Sequence, residues 1–164
     1  MELDIDIEDW PAGEWKALAE RSSAAIGKVA PELTNARLSV SLLFTSDVHV
    51  QDLNREWRER DKPTNVLSFP MLERQGLLDL AQEGPPEMLG DIALAYETCA
   101  READEKGVAL DHHAAHLIIH GLLHLAGYDH VHCDEDAEAM EALEIAALAK
   151  MGIPDPYGPY GDRH

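Results

Sequence analysis

From Ala109 to Ala126 the chain is apolar on almost every side, interrupted mainly by histidines. A helix without a broad polar face is normally buried at the centre of a fold, so the rest of the chain must wrap around this one. The wrapping elements are legible. Leu3, Ile5 and Ile7 alternate with acids, which predicts a half-buried strand. A helix follows Pro11, with Trp15, Leu18, Ala19 and Ile26 at near-helical spacing, and Pro31 ends it. Ala36 to Thr45 reads as a second strand with Leu38, Val40 and Leu42 on one face. Ser46 and Asp47 can cap a short helix carrying Val48, Leu53 and Trp57, with Trp57 read as core. Thr64–Pro70 and Leu89–Tyr96 are the third and fourth strands, joined by one long loop over 72–88, and a helix then runs to about Gly107. A last helix spans about Asp134 to Lys150, with Ala137, Met140, Leu143 and Ala147 at core spacing and acids in its first turn, where they suit the helix dipole.

The expected fold class is α+β: a small four-stranded sheet packed against the central histidine-bearing helix. A chain of 164 residues buries enough surface for one core without disulfide staples. A single domain over residues 1–151 is expected, followed by a loose Pro/Gly-rich tail over 152–164.

Within the central helix, "HGLLHLAGYDH" runs from His120 to His130. His120 and His124 stand one turn apart on one face, so their imidazoles can converge on one ion. Gly127 falls just past the helix end, where glycine adopts the left-handed conformation that turns a chain back, and His130 can return to the same ion. Three protein ligands leave a fourth position open, the arrangement of a catalytic zinc site. His112, His113 and His116 read as non-ligands, with His116 a candidate support for a ligand. Asp129 is a candidate acceptor for a ligand's second N–H, or simply a turn residue. The spacing equals that of the metzincin proteases, H-E-x-x-H-x-x-G-x-x-H. Those enzymes keep a glutamate beside the first histidine as general base. Here that position is Gly121, which cannot take a proton.

The net charge is −19, from 32 acidic and 13 basic residues, and taken alone it argues against a polyanionic partner. Yet Arg55, Arg58, Arg60 and Lys62 cluster within one short segment, so a local basic site coexists with a repulsive remainder. Cys99 and Cys133 form no disulfide framework. The N-terminus is acidic rather than signal-like, and no apolar run reaches the roughly 18 residues of a membrane span. A cytoplasmic location is expected.

The chain resembles the YbeY family of rRNA maturation factors, metal-dependent endoribonucleases of bacteria. The resemblance rests on "HGLLHLAGYDH", on "REWRERDKPTNVLSFP" (Arg55–Pro70), on "LGDI" (Leu89–Ile92) and on "MEALE" (Met140–Glu144). It implies a zincin-like fold and one Zn2+ per chain on His120, His124 and His130. It also implies action on ribosomal RNA, in maturing the 3′ end of the small-subunit rRNA and in ribosome quality control, with the small subunit and its ribosomal or assembly proteins as partners. The family's arginine that meets the substrate phosphate falls at Arg58. An arginine fork matches two phosphate oxygens at once and stabilises charge that grows during phosphodiester cleavage. Asn65 and Ser68 either contact substrate or satisfy backbone groups, and Arg58 could instead pair with Asp61. Two other classes stand beside this one. One is a metallopeptidase whose base lies elsewhere, at Asp134 or Glu135. The other is a non-catalytic assembly factor in which Cys133 closes a structural zinc site.

Overall fold

The computed structural model describes residues 1–128 and 134–157. Four strands, β1 (Glu2–Ile7), β2 (Leu38–Thr45), β3 (Val66–Pro70) and β4 (Glu87–Ala95), form one sheet in the order β1-β2-β4-β3. β1, β2 and β4 are parallel, and β3 closes one edge antiparallel to β4. The helices are α1 (Trp15–Val29), α2 (Asp47–Arg58), α3 (Arg74–Leu78), α4 (Tyr96–Lys106), α5 (Leu110–Leu125) and α6 (Asp134–Lys150). The mixed α+β architecture and its four-stranded sheet agree with the expectation from sequence.

Strand alternation divides the interior. Leu38, Val40, Leu42 and Phe44 of β2 and Ile92 and Leu94 of β4 enter the main core with α1, α5 and α6. Ala93 and Ala95 point the other way and meet Val50 of α2 and Leu67 of β3 in a smaller cluster. α5 is buried on nearly all sides, as its composition requires, and packs against β3, β4, α1, α4 and α6. The histidine helix is thus the central pillar of the fold.

The close approach of α5 to the sheet depends on glycine. At Gly90 of β4, a Cβ would lie 2.4 Å from the Phe69 carbonyl oxygen and 2.6 Å from Leu125 Cδ2. Gly90→Ala is therefore expected to push β3 and the end of α5 apart. It should lower stability in denaturant by about 1–3 kcal/mol or more, the usual cost of overpacking. At Gly121 a Cβ would sit 3.0 Å from Ile92 Cδ1, so that position faces the sheet at close range.

Three details differ from the sequence reading. The loop expected over 72–88 holds α3, whose Leu77 is buried, and the start of β4. Trp57 is not core but 71% exposed. The buried face of α2 is formed by Val50 and Asn54, while Leu53 and Trp57 open onto a groove shared with Phe69 and Met71. The segment after α6 is not loose throughout, because Ile153 and Tyr157 are both buried. Among the described residues, no helix is long and apolar enough to cross a membrane.

Candidate active site

The end of α5 is shaped by its stop signal. Gly127 takes φ +96°, its N–H donates to the His124 carbonyl, and the Tyr128 N–H donates to the Leu123 carbonyl. These paired bonds are a Schellman termination, which satisfies the last helical carbonyls and reverses the chain. A residue the sequence reading passed over locks it. Arg74 of α3 donates to the Ala126 carbonyl at 2.7 Å, lies over the Tyr128 ring and pairs with Glu32 at 3.0 Å. A cation at this end also suits the helix dipole.

One turn before the stop, His120 and His124 bring their Nε2 atoms to 3.0 Å of each other. Two imidazole nitrogens sharing a zinc at about 2.0–2.1 Å each would stand only slightly farther apart. The pair is partly exposed, so an ion can reach it. His130, Asp129 and Cys133 lie outside the described residues.

Behind the pair sits a carboxylate that the sequence reading missed. Glu144 of α6 is 1% exposed. Its Oε2 accepts from His120 Nδ1 at 3.3 Å, and its Oε1 accepts from His116 Nε2 at 2.5 Å and from the Tyr157 hydroxyl at 2.8 Å. Burial alone would push this carboxyl up. The hydrogen bonds from His116 and His120, and their positive character, outweigh it and hold the group well below the usual carboxylate range. Burial in turn pushes His116 down despite its contact with Glu144. Its Nε2 is the nitrogen turned to Glu144, while its buried Nδ1 has no partner among the described residues. An Nδ1–H donated to Glu144 would leave a lone pair on His120 Nε2, the state a metal requires. The two imidazoles therefore fit a divalent ion. Glu144 lies on the core face of α6, one turn after Met140, and a carboxylate at a core position was the available signal.

His113 belongs to a separate network. Its Nε2 meets Glu102 at 2.9 Å, and Asn65 Nδ2 donates to the same oxygen at 3.0 Å. Asn65 Oδ1 also accepts the Val66 N–H, so Asn65 ties the start of β3 to α4 and α5. Burial would raise the Glu102 carboxyl, but these hydrogen bonds lower it below its ordinary 4.5. A depressed carboxylate contributes stability that is complete above that ordinary value and is lost as pH falls through the folded value. Between about pH 5 and pH 3, stability in denaturant should therefore fall less steeply in Glu102→Gln than in the parent.

Arg58 is the last residue of α2. Its guanidinium donates to the Ser68 carbonyl at 2.8 Å and lies 5.6 Å from the centre of the Phe69 ring. That carbonyl faces the open edge of β3, the strand that packs along α5. The competing pairing with Asp61 does not occur. Asp61 is engaged by Arg55 at 3.4 Å and Gln51 at 2.9 Å, and Arg55 also pairs with Asp52. Among the described residues Arg58 has no acidic partner, so its positive charge stays available to an anion. The helix stops there because Glu59 adopts φ +57°, a left-handed conformation unusual outside glycine.

A family model described as Endoribonuclease YbeY matches residues 5–152. A protein of that name from Erythrobacter litoralis is 68% identical over 158 residues, covering 96% of this chain and 98% of its own. Its namesake from Novosphingobium aromaticivorans is 54% identical over 158 residues, covering 96% and 95%. A Thermotoga maritima protein solved in solution matches in fold, with TM-score 0.60, 23% identity, and coverage of 98% of this chain and 99% of its own.

Proposed function

The chain belongs to the YbeY endoribonuclease family, and on that premise we propose that it is a zinc-dependent endoribonuclease cutting single-stranded RNA. Its role is maturation of the 3′ end of small-subunit ribosomal RNA and ribosome quality control, in the cytoplasm, on or with the small subunit and its ribosomal or assembly proteins. His120, His124 and His130 are the metal ligands and Arg58 the phosphate contact. The observation that carries this reading is the convergence of His120 and His124 at Nε2, with His120 Nδ1 held by Glu144.

When bound, a divalent ion would supply Lewis acidity beside the scissile phosphate. The chain's own groups do the rest. Glu144 fixes the tautomer and tilt of His120. Arg58, held against Phe69 and the β3 edge, offers its remaining N–H groups to phosphate oxygens whose charge rises during cleavage. The 32 acids repel RNA elsewhere, which favours delivery by a ribosomal partner over broad non-specific binding.

A peptidase is disfavoured by packing. Position 121, where the metzincins place their glutamate, faces the sheet and lies tight against Ile92, and Glu135 is exposed at the start of α6.

The test is cleavage of a single-stranded fragment spanning the 3′ end of the small-subunit rRNA precursor, with and without chelation and zinc readdition. Chelation should stop cleavage and zinc should restore it. Undiminished cutting after complete metal removal, or digestion of casein but not RNA, would contradict the reading.

A further inference from the structure

Glu144 is more than a partner of His120. It is a buried carboxylate that receives three donors from two separate parts of the chain: His120 and His116 on α5, and Tyr157 beyond the end of α6. His116 Nε2 also lies 3.1 Å from the Tyr157 hydroxyl, and their rings meet edge to face at 5.2 Å. His116 and Tyr157 both act on Oε1, while His120 uses Oε2.

We propose that Tyr157 and His116 are positioning residues for the metal centre, fixing one oxygen of Glu144 so that the other stays aimed at His120 Nδ1. Tyr157, beyond the end of α6, thereby supports the metal site without itself being a ligand. This inference rests on the metal reading of His120 and His124 given above.

The physical argument is one of geometry. A carboxylate has a soft terminal torsion, and a single hydrogen bond does not define its plane. Two donors on Oε1 pin it. Tyr157 and Glu144 are 7% and 1% exposed, so water cannot easily replace a lost donor. With Oε1 released, Glu144 can rotate away from His120, which then loses the acceptor that sets its tautomer. Groups that orient a metal-bound histidine typically change affinity by about 10- to 100-fold when removed. Tyr157 stands two steps from the ion, so the lower end of that range is expected.

Tyr157→Phe removes one oxygen and keeps the ring. The full-length parent and variant are stripped of metal, and zinc affinity is measured by competition with a chromophoric chelator. Melting of both metal-free proteins is recorded on the same samples. The expected result is affinity weaker by about tenfold in Tyr157→Phe. A purely structural tyrosine would lower metal-free melting and leave zinc affinity within about twofold of the parent, and that outcome overturns the inference. A second pair of variants keeps the test decisive if Tyr157→Phe does not fold. His116→Gln retains a donor near the Nε2 position and should keep affinity, while His116→Leu should weaken it as Tyr157→Phe does. Equal affinity in both His116 variants would also overturn it. A parent that binds no divalent ion would remove the metal reading itself, a failure distinct from normal parental binding with unaffected variants.

Discussion

His124→Ala is expected to lose the bound ion and reduce RNA cleavage by more than about a thousandfold, since a metal ion supplies several kcal/mol of charge stabilisation. The chain would retain only His120 of the helical pair, so excess zinc should not restore full activity. Binding to the folded state alone raises stability by mass action. Zinc should therefore raise the melting temperature of the parent and leave that of His124→Ala unmoved. His113→Ala is the matched control. His113 is bound to Glu102, away from the converging pair, so this variant should keep its metal while losing some stability. Metal content, melting and cleavage measured on the same samples check all three expectations. Normal zinc content in His124→Ala would show that His124 is not a ligand.

Arg58→Ala should reduce cleavage by on the order of a hundredfold while leaving metal content unchanged. Arg58→Lys keeps the charge but loses the planar fork, and should fall between parent and alanine variant. The structure adds a stability effect to this prediction. Arg58→Ala loses a partly buried hydrogen bond to Ser68 and a contact over Phe69, together about 1–2 kcal/mol. For a domain of this size that lowers melting by a few degrees, too little to unfold the protein at the assay temperature. Full activity in Arg58→Ala would return Arg58 to a purely structural role, tying α2 to the edge of β3.

The elements that were legible in the sequence carry strong periodic signals. The alternation of β2 and the all-round apolarity of α5 each allow one solution, and Gly127 marks the helix stop because few other residues tolerate its φ of +96°. His120 and His124 were legible for the same reason, since a four-residue spacing on a helix dictates a shared face. What was hidden depends on contacts distant in sequence. Glu144 approaches His116 and His120 only because α6 packs on α5, and nothing in local spacing pairs residues 24 and 28 apart. Tyr157 was obscured by the Pro/Gly-rich composition around it, which normally accompanies an unpacked tail. Trp57 was misread because residue type favours burial, whereas its side of α2 overhangs a groove. Asn65 was ambiguous until Glu102 and the Val66 N–H were seen to occupy its amide.

The strong acidity also finds a place in this picture. Arg55 is consumed by Asp52 and Asp61, while Arg58 is spared by its seat on the β3 edge. A guanidinium with no acidic partner among the described residues, on a chain of net charge −19, favours local recognition of phosphate over general attraction to RNA. Cleavage of isolated RNA should accordingly fall off with rising salt more gently than it would for an enzyme with a broad basic face.

The central claim, a divalent ion held by histidines of the α5 end, is tested most directly by metal analysis of the full-length protein purified without an affinity tag or chelator. The account predicts about one ion per chain, zinc foremost, in line with a three-histidine site. A content near zero in folded protein that still cleaves RNA would contradict it.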